Sequence, residues 1–249
     1  CKLSKRDGAR LGFQVYAMSW LDEKTGALTP GFSELGFLPE AFINLLAMLG
    51  WNDGTDNELF TLDELVEKFS IERVNKAGAK FDFEKAKWFN AEWIKRLKAE
   101  SLKDKVKTVL ADKGVVVNDD AYLLTVINLV KERCILLPDF YHQLSYFFEQ
   151  PKEYDLASVK PKWTDAKTEF YNEFITLIKN TDVWEPIDLE TRFKALAEEK
   201  GIKAGELMLP FRIMLVGGKF GPHVFDIAVL LGKAETIARI EKAVVAFNG

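Results

Sequence analysis

Apolar residues return at helical spacing through most of this 249-residue chain. Leu38, Ala41, Phe42, Leu45, Leu46 and Leu49 fall three and four apart, which is one face of a 3.6-residue repeat. Pro39 stands at an early position, where a helix tolerates it. Gly50 then sits in the place of a C′ glycine, followed by Trp51. Thr61-Leu62-Asp63-Glu64 is a capping box that opens a short helix through Leu65 and Val66 to Lys68. Asp82 caps a third helix, in which Phe89, Trp93, Ile94 and Leu97 share a face. Ahead of these lie a short apolar run from Gly12 to Trp20 and two turn-rich stretches, Asp22–Gly26 and Thr29-Pro30-Gly31.

The same pattern continues to the end of the chain. Asn118-Asp119-Asp120 offers an N-cap for a helix buried along Leu123, Val126, Ile127 and Val130, ending around Arg133 and Cys134. Leu137-Pro138-Asp139 starts another helix, carrying Phe140, Leu144, Phe147 and Phe148, and Gln150-Pro151-Lys152-Glu153 breaks the pattern. Later helices carry Phe170, Phe174 and Leu177, then Leu189, Phe193 and Leu196, with Lys200-Gly201 closing the second. Val115-Val116-Val117 reads as a short strand, and further short strands are expected near the N-terminus. The expectation is a mainly α protein, a multi-domain helical array.

Composition narrows the class. Hydrophobic residues make up 48% of the chain and the mean hydropathy is -0.08, so a globular protein is expected. No apolar run approaches the roughly 20 residues of a membrane span. Two cysteines and two histidines are too few for a disulfide framework or a zinc site; Cys134 falls on an apolar face and reads as core. A cytoplasmic setting fits. The net charge of -4 argues against a protein built to coat nucleic acid, so any RNA contact must come from local patches. Lys95-Arg96-Leu97-Lys98 with Lys103, Lys105 and Lys107 is the densest, and reads equally well as the solvated face of a helix.

Two stretches carry candidate chemistry. Lys2-Leu3-Ser4-Lys5-Arg6-Asp7-Gly8 has two lysines three apart, a hydroxyl between them, an arginine after and a glycine for the turn. That suits a loop gripping a polyphosphate; read alone, it is equally a solvated basic tail. A phosphate loop needs walls, and Cys1 is not an initiator methionine, so we expect the chain to be the C-terminal portion of something larger. The second stretch runs Leu209-Pro210-Phe211-Arg212, then Gly217-Gly218-Lys219-Phe220-Gly221-Pro222, then Val224-Phe225. It lacks the G-x-x-x-x-G-K-[ST] spacing of a phosphate loop and reads as a turn between helices. Arg212 alone would suit a salt bridge to a carboxylate such as Glu206.

Phe32-Ser33-Glu34-Leu35-Gly36-Phe37-Leu38-Pro39-Glu40-Ala41 and Asn44-Leu45-Leu46-Ala47-Met48-Leu49-Gly50-Trp51 resemble the segment after the KMSKS-type loop of bacterial glutamyl-tRNA synthetases. Lys80-Phe81-Asp82, Lys85 and Trp88-Phe89-Asn90 are similar to the next block of that family, in the same order. The resemblance implies a class I aminoacyl-tRNA ligase that activates glutamate with ATP and attaches it to tRNA. It makes Lys2 and Lys5, with Ser4 and Arg6, part of the catalytic loop, and Lys5 the ATP-binding residue at the adenylyl phosphate. It divides the chain into residues 1–100, the end of the catalytic part plus a stem-contact domain, and helical anticodon-binding subdomains at 101–150 and 151–249. An all-helical anticodon end separates this family from glutaminyl-tRNA synthetases, whose anticodon end is made of β-barrels.

By the same resemblance Arg212 contacts anticodon bases, Pro222, Val224 and Phe225 shape their pocket, and Arg133 approaches the third anticodon base. His223 stands where a small residue is more usual, and Phe211 where leucine is common. The implied partner is tRNA-Glu, with tRNA-Gln as a second candidate; the implied state is a monomer with no DNA or membrane partner. ATP and Mg belong to the full-length enzyme and no cofactor is expected on this chain, which should bind tRNA at most and be inactive alone. The competing reading is a helical protein-interaction module with a basic tail and no tRNA-binding role.

Overall fold

A computed structural model describes residues 16–75 and 81–249. These residues pack as two units. One runs up to Gly114 and takes in Asp119–Tyr141; the other comprises Val115–Asn118 and His142–Gly249.

The first unit opens with a two-stranded antiparallel hairpin, β1 (Trp20–Leu21) and β2 (Leu28–Thr29), with Trp20 opposite Thr29. Helices follow: α1 (Pro39–Met48), α2 (Leu62–Lys68), α3 (Phe83–Arg96), α4 (Ala99–Asp112) and α5 (Asp120–Val130). Their starts are set by local chemistry. The Thr61 hydroxyl accepts from the Glu64 amide while Glu64 reaches back to the Thr61 amide, completing the capping box. Asp82 accepts from the amides of Glu84 and Lys85, and Asp119 from those of Ala121 and Tyr122. Each cap contributes about 1 kcal/mol.

The core of this unit is aromatic: Phe32, Phe37, Leu45, Ala86 and Phe89, with Phe42, Phe81 and Phe83 around them. Two fully buried asparagines tie loops to it. The Asn44 Oδ1 accepts from the Phe60 amide and the Trp93 indole, both at 3.1 Å. The Asn90 Oδ1 accepts from the Leu38 amide at 2.7 Å, and its Nδ2 donates to the Ile135 carbonyl at 2.5 Å.

Two local expectations fail. Val115–Val117 is no strand: α4 ends in a turn at Gly114 and α5 is capped by Asp119, so the few residues between have no ladder to join, and Val116 is exposed. Gly50 follows the Leu49 cap, yet it is not among the left-handed glycines. The amides of Leu49 and Trp51 fold back onto Leu45, Leu46 and Ala47 instead, because Trp51 is buried against Phe60 and Leu65.

Helix α6 (Asp139–Phe148) begins just before the division between the units, and the second unit continues with a short α7 (Leu156–Val159) and then α8 (Asp165–Lys179), α9 (Pro186–Glu199), α10 (Ala204–Val216), α11 (Val224–Leu231) and α12 (Lys233–Asn248). Its centre is Phe193, whose ring meets Phe170 and Phe174 at 5.0 Å, Phe225 at 5.4 Å and Phe211 at 5.5 Å. All five are fully buried, at about 1.5–3 kcal/mol each. Lys200-Gly201 does close α9: the Gly201 amide returns to Glu198 and that of Ile202 to Ala197, a Schellman pair. Leu177 is only half-buried; Ile178 takes the core position instead.

The Asn90 contacts generate a test. Asn90→Ala leaves a buried amide and a part-buried carbonyl without their side-chain partner and should destabilise the first unit by about 1–3 kcal/mol. Urea unfolding of wild type and variant measures it, and a loss under about 0.5 kcal/mol would contradict the role given to this side chain.

Candidate functional site

The 217–223 turn joins α10 to α11, as its composition suggested. Gly217 ends α10 in a left-handed conformation, and its carbonyl accepts from the Asp155 amide at 2.9 Å. Lys219 Nζ lies 3.4 Å from the Asp155 carboxylate. From the last full turn of α10, Arg212 reaches across the loop. Its Nη1 donates to the carbonyls of Phe220, Gly221 and Pro222 at 3.1, 3.2 and 2.6 Å. Glu206, the carboxylate weighed as its partner, sits 3.7 Å from Lys167 Nζ.

Pro222, Val224 and Phe225 are buried. They form the floor under the turn: Phe225 packs on Phe193 and Phe211, in the same aromatic core that holds α10. The upper surface is different. Arg212 is half-buried, while Lys219, Phe220 and His223 are exposed. The His223 Nε2 is 3.7 Å from Glu190. Sequence reasoning did not single out Phe220, although it lies inside the stretch read as a turn, or Tyr146. Tyr146 comes from α6, and its ring lies 6.0 Å from that of Phe220. Gly221 has φ +98, and a Cβ there would stand 3.0 Å from the Tyr146 hydroxyl.

The remaining candidates are scattered. Arg133 is exposed in a one-turn 3-10 segment, Lys131–Arg133, that extends α5. A cation at a helix C-terminus is favoured by the helix dipole, and the residue belongs to the first unit whereas Arg212 belongs to the second. Lys2, Ser4, Lys5 and Arg6 lie outside the described residues.

Three of the six cations of the basic patch are ion-paired, to two carboxylates. Lys95 pairs with Glu92 at 2.7 Å, and Lys103 and Lys107 share Asp120 at 2.9 and 2.8 Å. Hydrogen bonds from Lys107 and Lys103 pull the Asp120 carboxyl down to about 2. Arg96 stacks over Trp93 at 5.5 Å. The solvated-face reading accounts for these residues. Cys134 is buried, and burial pushes its thiol up to about 12, which suits core and not chemistry. Among the described residues no group of three or more His, Cys, Asp or Glu is placed to hold a metal, and no helix is long and apolar enough to cross a membrane.

The turn thus carries an arginine held by three of its carbonyls and an exposed aromatic ring, on a helical unit. The chain belongs to the anticodon binding domain family, whose profile matches residues 64–244. The catalytic domain of class I tRNA synthetases (E and Q) matches residues 2–88. Among its relatives, the glutamate–tRNA ligases of Phocaeicola vulgatus and Flavobacterium psychrophilum are each 44% identical over 98% of this chain. A crystal structure of a glutamate tRNA ligase from Elizabethkingia meningosepticum in complex with its amino acid superposes with a TM-score of 0.90 at 38% identity, over 99% of this chain and 49% of that one. The chain spans about half the length of the curated relatives it matches, 48% in the two ligases above.

Two expectations follow. The depressed Asp120 carboxyl stabilises the fold at pH values above the ordinary carboxylate range, and that contribution is lost as pH falls toward about 2. Asp120→Asn should therefore lower the melting temperature at pH 7, with the difference from wild type shrinking between pH 4 and pH 2.5; a difference independent of pH would remove the ion triad as its cause. Separately, Arg212→Ala strips the turn of its carbonyl donor and should cost about 1–3 kcal/mol, with new proteolytic cleavage at residues 217–222. An unchanged digestion pattern would show that the turn holds without it.

Proposed function

We propose that this chain is the tRNA-binding, anticodon-recognising part of a glutamate–tRNA ligase, and that the longer protein uses ATP to activate glutamate and attaches it to tRNA-Glu. The observation that carries the reading is Arg212, held by three turn carbonyls at the edge of a family-matched helical module. A guanidinium whose position is fixed in advance loses little freedom when a base arrives. Its planar donors suit the acceptors on a base edge, whereas an ammonium offers only a point charge. Buried Pro222, Val224 and Phe225 act from below, by holding the turn against the core. Arg133, exposed on the first unit, is the second candidate contact for the anticodon.

Lys2 and Lys5, with Ser4 and Arg6, are the residues we assign to the catalytic loop, Lys5 at the phosphate being transferred. ATP and its magnesium are assigned to the longer protein. The functional regions we propose are 1–100, 101–150 and 151–249, in a monomeric, cytoplasmic enzyme.

Binding of the 249-residue chain to a tRNA-Glu transcript, and to one with an altered anticodon, tests the reading at fixed low salt, since phosphate contacts make affinity salt-dependent. Wild type should prefer the native anticodon by about tenfold or more. Arg212→Lys keeps a cation and a donor for the carbonyls but loses the planar fork. It should bind both transcripts alike, near the weaker wild-type affinity. Equal binding of both transcripts by folded wild type overturns the reading; no binding at all turns it toward a protein-interaction module.

A further inference from the structure

Phe220 is an exposed aromatic side chain in an unusually constrained place. Its carbonyl is one of the three that hold Arg212 Nη1, so ring and guanidinium leave the same turn. Its ring is fixed from two sides. One is Tyr146, at a centroid distance of 6.0 Å and a tilt of 51°. The other is the bare backbone of Gly218: a Cβ there would stand 2.6 Å from Phe220 Cε1 and 2.9 Å from Cδ1. Only glycine lets the ring fold back so closely. The side chain nevertheless keeps 40% of its surface exposed.

Water exposure of a large ring costs free energy. Lys219 before it is drawn to Asp155, and His223 after it to Glu190. The backbone beneath the ring is fixed by Arg212, Gly217 and Gly221. The arrangement is a fixed aromatic ring on the turn whose backbone carbonyls hold the Arg212 guanidinium.

We infer that Phe220 is a stacking platform for one unpaired anticodon base, placed so that the base it carries is presented to the Arg212 guanidinium. The inference rests on the anticodon-recognising role proposed above and names a residue that this role does not require. The chemistry needed is a flat π face, which every base offers, so Phe220 supplies affinity and position while Arg212 supplies the hydrogen-bonding discrimination. Tyr146 and Gly218 act as positioning residues through the ring; they touch no base themselves.

A double cycle separates stacking from a structural effect. The chain and its Phe220→Leu and Phe220→Trp variants are titrated with tRNA-Glu transcripts that are intact or carry one abasic nucleotide at each anticodon position in turn. With the intact transcript Phe220→Leu should lose about fivefold or more in affinity, and Phe220→Trp should recover it. At one abasic position the Leu variant and wild type should bind equally, since the base that stacks is gone; at the other two the gap should persist. Coupling of this kind is what contact produces, whereas a structural defect adds independently of the base.

The outcomes distinguish the two claims. Wild type that prefers the native anticodon, with a Phe220→Leu variant that matches it on every transcript, overturns the platform and leaves the anticodon reading standing. A loss in Phe220→Leu that is the same on all abasic transcripts assigns the ring a structural role and likewise overturns it. Wild type without anticodon preference removes the parent reading and this inference together.

Discussion

A mainly helical protein must find partners for the amides and carbonyls left over at every helix end and connecting loop, and here much of that duty falls on polar side chains. Asn90 serves the amide of Leu38, the cap of α1, and the carbonyl of Ile135. Lys131 donates to Leu97, the cap of α3. Trp184 donates to Val229 near the end of α11. Arg239, almost wholly buried, donates to Leu215 at the end of α10 and to Glu149 just past α6, while its Nε is held by Glu235. A buried guanidinium is tolerable only with this much satisfaction. Hydrophobic burial makes each unit compact; these polar ties decide where each helix stops and where each connecting loop goes.

Arg212 belongs to the same series, and that gives it two jobs. Its Nη1 does for the 217–223 turn what Arg239 does for the end of α10. The difference is depth: Arg239 is closed in, and Arg212 is half-exposed. On the proposed reading, a residue that already organises the loop meets a base with its rotamer fixed by the fold, which limits the entropy lost. The aromatic floor of Phe193, Phe211 and Phe225 extends that rigidity downward, since the helix carrying Arg212 also carries Phe211.

What could be read from sequence was what is local. The capping box at Thr61, the caps at Asp82 and Asp119 and the buried stripe of α5 each depend on residues within a few positions, and all stand as expected. Gly50 and Val115–Val117 misled because their local signals were outweighed: Trp51 is drawn into the core, and a strand needs a neighbour. The polar ties were illegible because their partners are far apart in the chain, 52 residues for Leu38 and Asn90 and 90 for Glu149 and Arg239. At the candidate site, Arg212 and the turn were visible as a motif. Phe220 was passed over because only the approach of Tyr146 and the bare Gly218 backbone gives its ring a fixed direction.

On the tRNA-binding reading proposed above, the acidic balance of the chain leaves recognition to local geometry. The chain holds 34 basic and 38 acidic residues, and the densest lysine cluster is tied to Glu92 and Asp120. Lysines in such pairs give up part of their attraction for phosphate, although two carboxylates against six cations leave that face positive. On the reading proposed above, discrimination would rest on the turn that is clamped by Arg212, floored by phenylalanine and edged by one exposed ring.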